Sequence, residues 1–143
     1  MPDDLVTFLR ARLAEREAAA LAASGAGPAP SWQALGTGVY SLTDSLADDA
    51  PPLATTGPEI GGSDEDAARA EHIALHDPAR TLREVEAVRG LLDRCGRPGP
   101  GETSSDPVSR SSTGGERADV DIAARHLALS YSDHPDYLVE WRP

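Results

Sequence analysis

Residues 63–95, SDEDAARAEHIALHDPARTLREVEAVRGLLDRC, contain the clearest structural signals in the chain. Ser63 precedes three acidic residues, a pattern that predicts an N-cap followed by a first helical turn whose negative charge suits the helix dipole. We expect this helix over Asp64–His76. Asp77 then supplies a second N-cap, and Pro78 occupies the first position of the next helix, where its missing N–H costs no hydrogen bond. The stretch therefore predicts two consecutive helices.

The spacing of apolar residues predicts two further helices and the buried faces of the central pair. We expect the second helix of that pair to end at Arg94, and other helices over residues 3–23 and 118–131, because apolar side chains recur there at intervals of three and four. The inward-facing residues expected in the central pair are Ala67, Ala70, Ile73, Ala74, Leu82, Val85, Val88 and Leu92.

The segments between these helices give weaker signals. Residues 24–31 contain two glycines and two prolines, which predicts a linker. A short β-hairpin is indicated around Gly36-Thr37-Gly38 by the hydrophobic residues Trp32, Val39, Tyr40 and Leu42. Residues 98–117 contain almost no apolar side chain, and we expect them to form a flexible insert.

Together these elements predict a single domain over residues 1–143. The expected fold is mainly α, a small bundle of about four helices. The alternative is an α+β fold that includes a short hairpin between the first two helices.

The overall charge limits the classes of partner. Thirteen arginines and no lysine stand against 24 acidic residues, a net charge of −11, which disfavours direct binding to nucleic acid or to an anionic membrane. Cys95 is the one cysteine, so no internal disulfide forms and a reducing compartment is expected. The sequence shows no signal peptide and no apolar run long enough to span a bilayer. We therefore expect a cytoplasmic protein without membrane contact.

The sharpest candidate site consists of His72 and His76. Four residues apart on a helix, they share a face, which is the spacing by which zinc-binding helices present two imidazoles. The metalloprotease motif needs Glu directly after the first histidine, where this chain has Ile73, and a third ligand would have to come from His126, His134 or a carboxylate. The alternative is structural, with His76 suiting the dipole at a helix C-terminus. We expect no cofactor, with zinc or another divalent metal as the alternative.

Three other features have both a functional and a structural interpretation. Arg80 and Arg83 could bind a phosphate or a carboxylate, but a solvated helix face is the favoured interpretation. A catalytic thiolate at Cys95 is disfavoured, because nothing in the local sequence orients a base beside it. Tyr137 and Trp141 lie four residues apart near the C-terminus, where we expect them to attach the tail to the helices; an interface anchor is the alternative.

Three blocks of the sequence resemble a known family and occur in that family's order. They are DDLVTFLRARLAERE (residues 3–17), AEHIALHDPARTLREVEAVRGLLDRC (70–95) and HPDYLVEWRP (134–143). The family consists of small uncharacterised proteins from actinobacteria and their phages, catalogued as domain of unknown function 6221. The resemblance implies no established activity and no catalytic residue. The residues that match the family pattern are Glu71, His72, His76, Asp77, Pro78, Arg80, Arg83, Glu84, Glu86, His134, Pro135, Asp136, Tyr137, Trp141 and Arg142.

These observations favour a non-enzymatic interaction or accessory protein of actinobacterial or phage origin that binds a protein partner. Small size, negative charge and the lack of a recognisable catalytic set support this hypothesis. The acidic stretch Asp44–Asp77 suggests one mode, mimicry of nucleic acid toward a basic partner. The alternative is a metal-binding protein or a metal-dependent hydrolase that uses His72 and His76.

Overall fold

The structure, a computed structural model, describes residues 2–42, 50–58, 60–95 and 109–143. The described elements are α1 (Pro2–Ser24), β1 (Trp32–Leu35), β2 (Gly38–Ser41), β3 (Ala54–Thr55), α2 (Asp64–Ala74), α3 (Pro78–Cys95), α4 (Ser109–Ala128) and 3₁₀ turns at Leu129–Tyr131 and Val139–Trp141. The predicted class is confirmed, because this part of the chain is mainly α, with four α-helices and a small sheet between α1 and α2.

The chain divides into two compact units. Unit 1 comprises Met1–Glu15 and Glu86–Pro143, and unit 2 comprises Arg16–Val85. Helices α1 and α3 each contribute residues to both units. That residues 1–143 form a single domain stays a prediction.

The sheet of unit 2 is a hairpin extended by a third short strand. β1 pairs antiparallel with β2, with Leu35 opposite Gly38, so the predicted hairpin is confirmed. Gly36 has a φ of +59°, which fits the glycine that a two-residue type II′ turn requires at its first central position. β3 pairs antiparallel with β2. The sequence does not predict this strand, because two residues are too few to show the alternation of polar and apolar side chains that indicates a strand.

Helix α2 packs on one face of this sheet. Its Ala70 and Ala74 form a buried cluster with Val39 of β2. Small alanine side chains let the helix approach the strands closely, and Ala70 and Ala74 are among the residues predicted to face inward. The partly buried residues around this cluster are Trp32, Ala34, Ala54 and Ile73.

The start of α2 is held by a capping box between Ser63 and Asp66. The Ser63 hydroxyl accepts a hydrogen bond from the N–H of Asp66, and the Asp66 carboxylate accepts one from the N–H of Ser63 at 3.1 Å. These bonds lower the pKa of Asp66, the backbone N–H of Ser63 having the largest effect. The predicted start is therefore confirmed, while the helix ends at Ala74, two residues before the expected end at His76.

The core of unit 1 is built from leucines, alanines and aromatic rings. Leu9 of α1 and Leu92 of α3 are among its fully buried side chains. The buried residues of this unit are Leu5, Phe8, Leu9, Leu13, Leu92, Ala124, Ala128, Tyr137 and Trp141.

Helix α4 begins at Ser109, nine residues before the predicted start at Ala118. In residues 109–117 apolar residues do not recur at helical spacing. The hydrophobic pattern therefore predicts only the later turns of this helix. The rest of the predicted insert, residues 98–108, lies outside the described residues, and its flexibility stays a prediction.

Candidate functional site

The turn from α2 into α3 is fixed by Asp77 and Pro78. The Asp77 Oδ1 atom accepts a hydrogen bond from the N–H of Arg80 at 2.6 Å, and the Asp77 carbonyl accepts one from Thr81 at 2.9 Å. Asp77 therefore caps α3, and Pro78 stands at the first helical position. Since both residues are buried, the junction holds the first turn of α3 in place beside the end of α2.

A surface cleft of about 420 Å³ lies beside this junction in unit 2. β1 supplies one side of the cleft, and the end of α2 and the start of α3 supply the other. Its lining combines an apolar surface with two acidic and two basic side chains. The lining residues are Trp32, Ala34, Glu71, Ala74, Leu75, Asp77, Arg80 and Arg83.

The charged groups of the cleft differ in whether they already have partners. Arg80 donates to Glu84 at 3.0 Å, and Arg16 also donates to Glu84 at 3.0 Å. These bonds lower the pKa of Glu84, with that from Arg80 as the first cause. Glu71 and Arg83 are exposed, and neither side chain bonds to any residue that the structure describes. The cleft thus presents a free carboxylate and a free guanidinium.

Trp32 adds an unused hydrogen-bond donor to the cleft. Its indole Nε1 is buried and has no acceptor within the described ranges. A buried donor without an acceptor costs about 1–3 kcal/mol. Sequence reasoning places Trp32 in the hairpin but not in a site, because no local pattern shows that β1 lies against the end of α2.

His72 and His76 are exposed and share one face, as their spacing predicts. Their ring centroids lie 4.8 Å apart with an interplanar angle of 68°, and neither ring lines the cleft. Within the described parts of the chain, no three His, Cys, Asp or Glu side chains are grouped closely enough to hold a metal ion. The pair offers two nitrogen donors, and metal binding by it stays a prediction.

Tyr137 and Trp141 pack around Phe8 in unit 1. The centroid of Phe8 lies 6.2 Å from that of Tyr137 and 4.9 Å from that of Trp141, and the two tail rings are 5.8 Å apart. The ring of His134 also contacts Phe8, with the two ring centroids 5.6 Å apart. Since the Tyr137 and Trp141 rings are buried, their position favours the attachment of the tail over the anchoring of a partner.

Part of the predicted acidic stretch Asp44–Asp77 lies outside the described residues. Asp44, Asp48, Asp49 and Glu59 lie outside the described residues, so mimicry of nucleic acid stays a prediction.

The described helices include none with the length and apolar character needed to cross a membrane.

The described residues form a small, mainly helical fold in which a β-hairpin and two capped helices line a mixed-charge surface cleft. The chain belongs to the family described as Family of unknown function (DUF6221), which it matches over residues 2–143. The resemblance carried by the three sequence blocks is thereby confirmed. Comparisons with curated proteins and with solved structures give no match. Six cleft residues lie in the second of these blocks, residues 70–95: Glu71, Ala74, Leu75, Asp77, Arg80 and Arg83.

Proposed function

We propose that this chain is a non-enzymatic interaction protein that binds a protein partner through the cleft of unit 2. The observation that carries this proposal is the composition of the cleft. The exposed side chain of Leu75 and the ring of Trp32 lie beside the free charges of Glu71 and Arg83. Protein interfaces combine apolar contact with a polar rim, and Trp and Arg supply much of their binding energy.

The chemistry of the lining supports recognition over catalysis. The guanidinium groups of Arg80 and Arg83 carry hydrogen-bond donors and no acceptor, which suits the recognition of carboxylates. The carboxylate of Asp77 is already engaged by the N–H of Arg80. The described lining residues supply mainly charge and apolar surface. They include no Ser, Thr, Cys or Lys, so the free carboxylate of Glu71 has no hydroxyl, thiol or amine beside it in the lining to activate as a nucleophile.

Capture of the partner with matched arginine variants tests this proposal. The immobilised full chain is exposed to a lysate of the source organism, in parallel with Arg83→Ala and Arg94→Ala. Arg94 is an exposed arginine of the same helix that does not line the cleft. We expect the protein and Arg94→Ala to retain the same partner and Arg83→Ala to lose it. Retention should weaken as salt screens the exposed charge. Equal retention by Arg83→Ala would contradict a partner site at the cleft.

A second candidate function, metal binding with or without hydrolysis, is supported by the 4.8 Å separation of the His72 and His76 rings. Zinc analysis of the protein purified without chelator tests this candidate. This candidate predicts stoichiometric zinc in the unmutated protein and its loss in the His72→Ala, His76→Ala double variant. Zinc far below one equivalent in the unmutated protein would reject the candidate.

A further inference from the structure

We infer that the partner binds by β-strand addition: an extended segment with an acidic side chain pairs with the outer edge of β1, beside the cleft. This inference rests on the proposed function, because it specifies how the partner occupies that cleft. It follows from the hydrogen-bond pattern of the sheet and from the charges along the strand edge.

The register of the hairpin determines which backbone groups of β1 face outward. The N–H of Leu42 donates to the carbonyl of Ser31 at 2.9 Å, so these two residues form a hydrogen-bonded pair. In an antiparallel ladder such pairs alternate with pairs that exchange no hydrogen bonds. Trp32 and Ala34 therefore direct their N–H and C=O groups away from β2.

The other side of β2 supports the same conclusion. Val39, which lies opposite Ala34, accepts a hydrogen bond from the N–H of Leu53 at 2.7 Å with its carbonyl. The backbone groups of Val39 thus face the third strand, away from β1. The backbone groups of Ala34 are left at the outer edge of the sheet.

Helix α3 closes one end of this edge and leaves the rest open. The carbonyl of Pro30, which also faces outward, accepts a hydrogen bond from the N–H of Ala79 at 3.3 Å. After Pro30, no residue in the described part of the chain bonds to the outward groups of Trp32 or Ala34. Open edge groups are the template on which a partner strand adds.

The side chains around the edge favour an acidic occupant. Trp32 and Ala34 line the same cleft as Arg80 and Arg83, so a strand paired with β1 lies beside two guanidinium groups. A carboxylate on that strand would form a charge-assisted hydrogen bond with the free Arg83. Arg80 is already bonded to Glu84 and Glu71 is itself a free carboxylate, so the preference for an acidic side chain applies to the position of the added strand that lies beside Arg83.

A library of random twelve-residue peptides displayed on phage, selected against the full chain, tests the inference. We expect the enriched peptides to alternate polar and apolar residues and to contain Asp or Glu. The best synthetic peptide should bind Arg83→Ala about tenfold more weakly than the unmutated protein, because a charge-assisted bond is lost. Arg94→Ala should bind it normally. Failure to enrich such peptides would overturn the inference.

Amide hydrogen exchange then locates the bound peptide. The N–H groups of Trp32 and Ala34 should exchange rapidly in the free protein and slow about tenfold or more when peptide is bound, as amides do when they enter a ladder. The N–H groups of Gln33 and Leu35 should be protected in both states, because they face β2. In Ala34→Pro, which removes an outward N–H and spares the ladder with β2, peptide affinity should fall.

The possible results separate the two proposals. The peptide could bind through Arg83 and yet leave the amides of Trp32 and Ala34 unprotected from exchange. That result would overturn strand addition but would still support the cleft as the partner site. Peptide binding that does not depend on Arg83 would overturn both. Protection of the two amides that rises with protein concentration, without peptide, would assign the edge to a second copy of the chain.

Discussion

At the scale of single residues, Asp77 joins two helices through one side-chain hydrogen bond. Asp77→Ala removes the acceptor for the N–H of Arg80, so we expect the free energy of unfolding to fall by about 1 kcal/mol. Asp77→Asn keeps an acceptor oxygen and should lose less. Urea denaturation followed by circular dichroism measures both variants, and an unchanged midpoint in Asp77→Ala would show that the cap contributes nothing.

Asp66 and Glu84 predict the response of the protein to acid. Their pKa values are lowered, chiefly by the backbone N–H of Ser63 and by the guanidinium of Arg80 respectively. A carboxyl whose pKa is lower in the folded state contributes stability above its unfolded pKa, and that contribution is lost as the pH falls through the folded pKa. The free energy of unfolding should therefore decrease as the pH drops below the ordinary carboxyl values of 3.8 and 4.5.

Urea denaturation at a series of pH values measures this decrease. Glu84→Gln should be less stable than the unmutated protein at neutral pH and should lose less stability on acidification. A free energy of unfolding that stays constant through the acidic range would contradict the prediction.

At the scale of elements, the β1–β2 turn depends on a glycine in the left-handed region. Gly36 has a φ of +59°, so Gly36→Ala places a Cβ in a strained conformation and should lower the free energy of unfolding by about 1–2 kcal/mol. Gly27→Ala is the matched control, because Gly27 has no positive φ and no atom within 4 Å of an added Cβ. Thermal unfolding compares the two, and equal effects would contradict the turn assignment.

The aromatic cluster attaches the tail to α1 in unit 1. Trp141→Ala removes a buried ring from beside Phe8 and should lower the free energy of unfolding by about 3 kcal/mol. Trp141→Phe keeps most of the contact and should lose less. Val139→Ala changes an exposed residue of the same 3₁₀ turn and should shift the free energy of unfolding by less than about 0.5 kcal/mol. If Trp141→Ala proved as stable as Val139→Ala, the tail would not stabilise unit 1.

Local signals explain which elements the sequence predicts. The caps at Ser63 and Asp77 act within three residues of themselves, so the starts of α2 and α3 can be read directly from the sequence. The cleft cannot be read in this way, because it requires Trp32 to meet residues that lie about forty to fifty positions further along the chain. The sequence therefore indicates Asp77, Arg80 and the hairpin, but not that β1 of the hairpin lies beside these two residues.

At the scale of the whole molecule, the two tryptophans allow a test of the predicted single domain. Trp32 lies in unit 2 and Trp141 in unit 1, so Trp141→Phe and Trp32→Phe each leave one fluorescent reporter. Since α1 and α3 contribute to both units, we expect each variant to unfold in urea with the same midpoint by fluorescence and by circular dichroism. Separated midpoints within one variant would show that the units unfold independently.

The open edge of β1 also bears on self-assembly into fibrils. Stacked cross-β assemblies grow from flat segments of six or seven residues with little net charge. β1 has only four residues, and α3 already occupies the outward carbonyl that precedes it. The outer edge of β1 can therefore pair with one complementary segment. It is too short to support the repeated edge-to-edge stacking by which longer unpaired strands form fibrils.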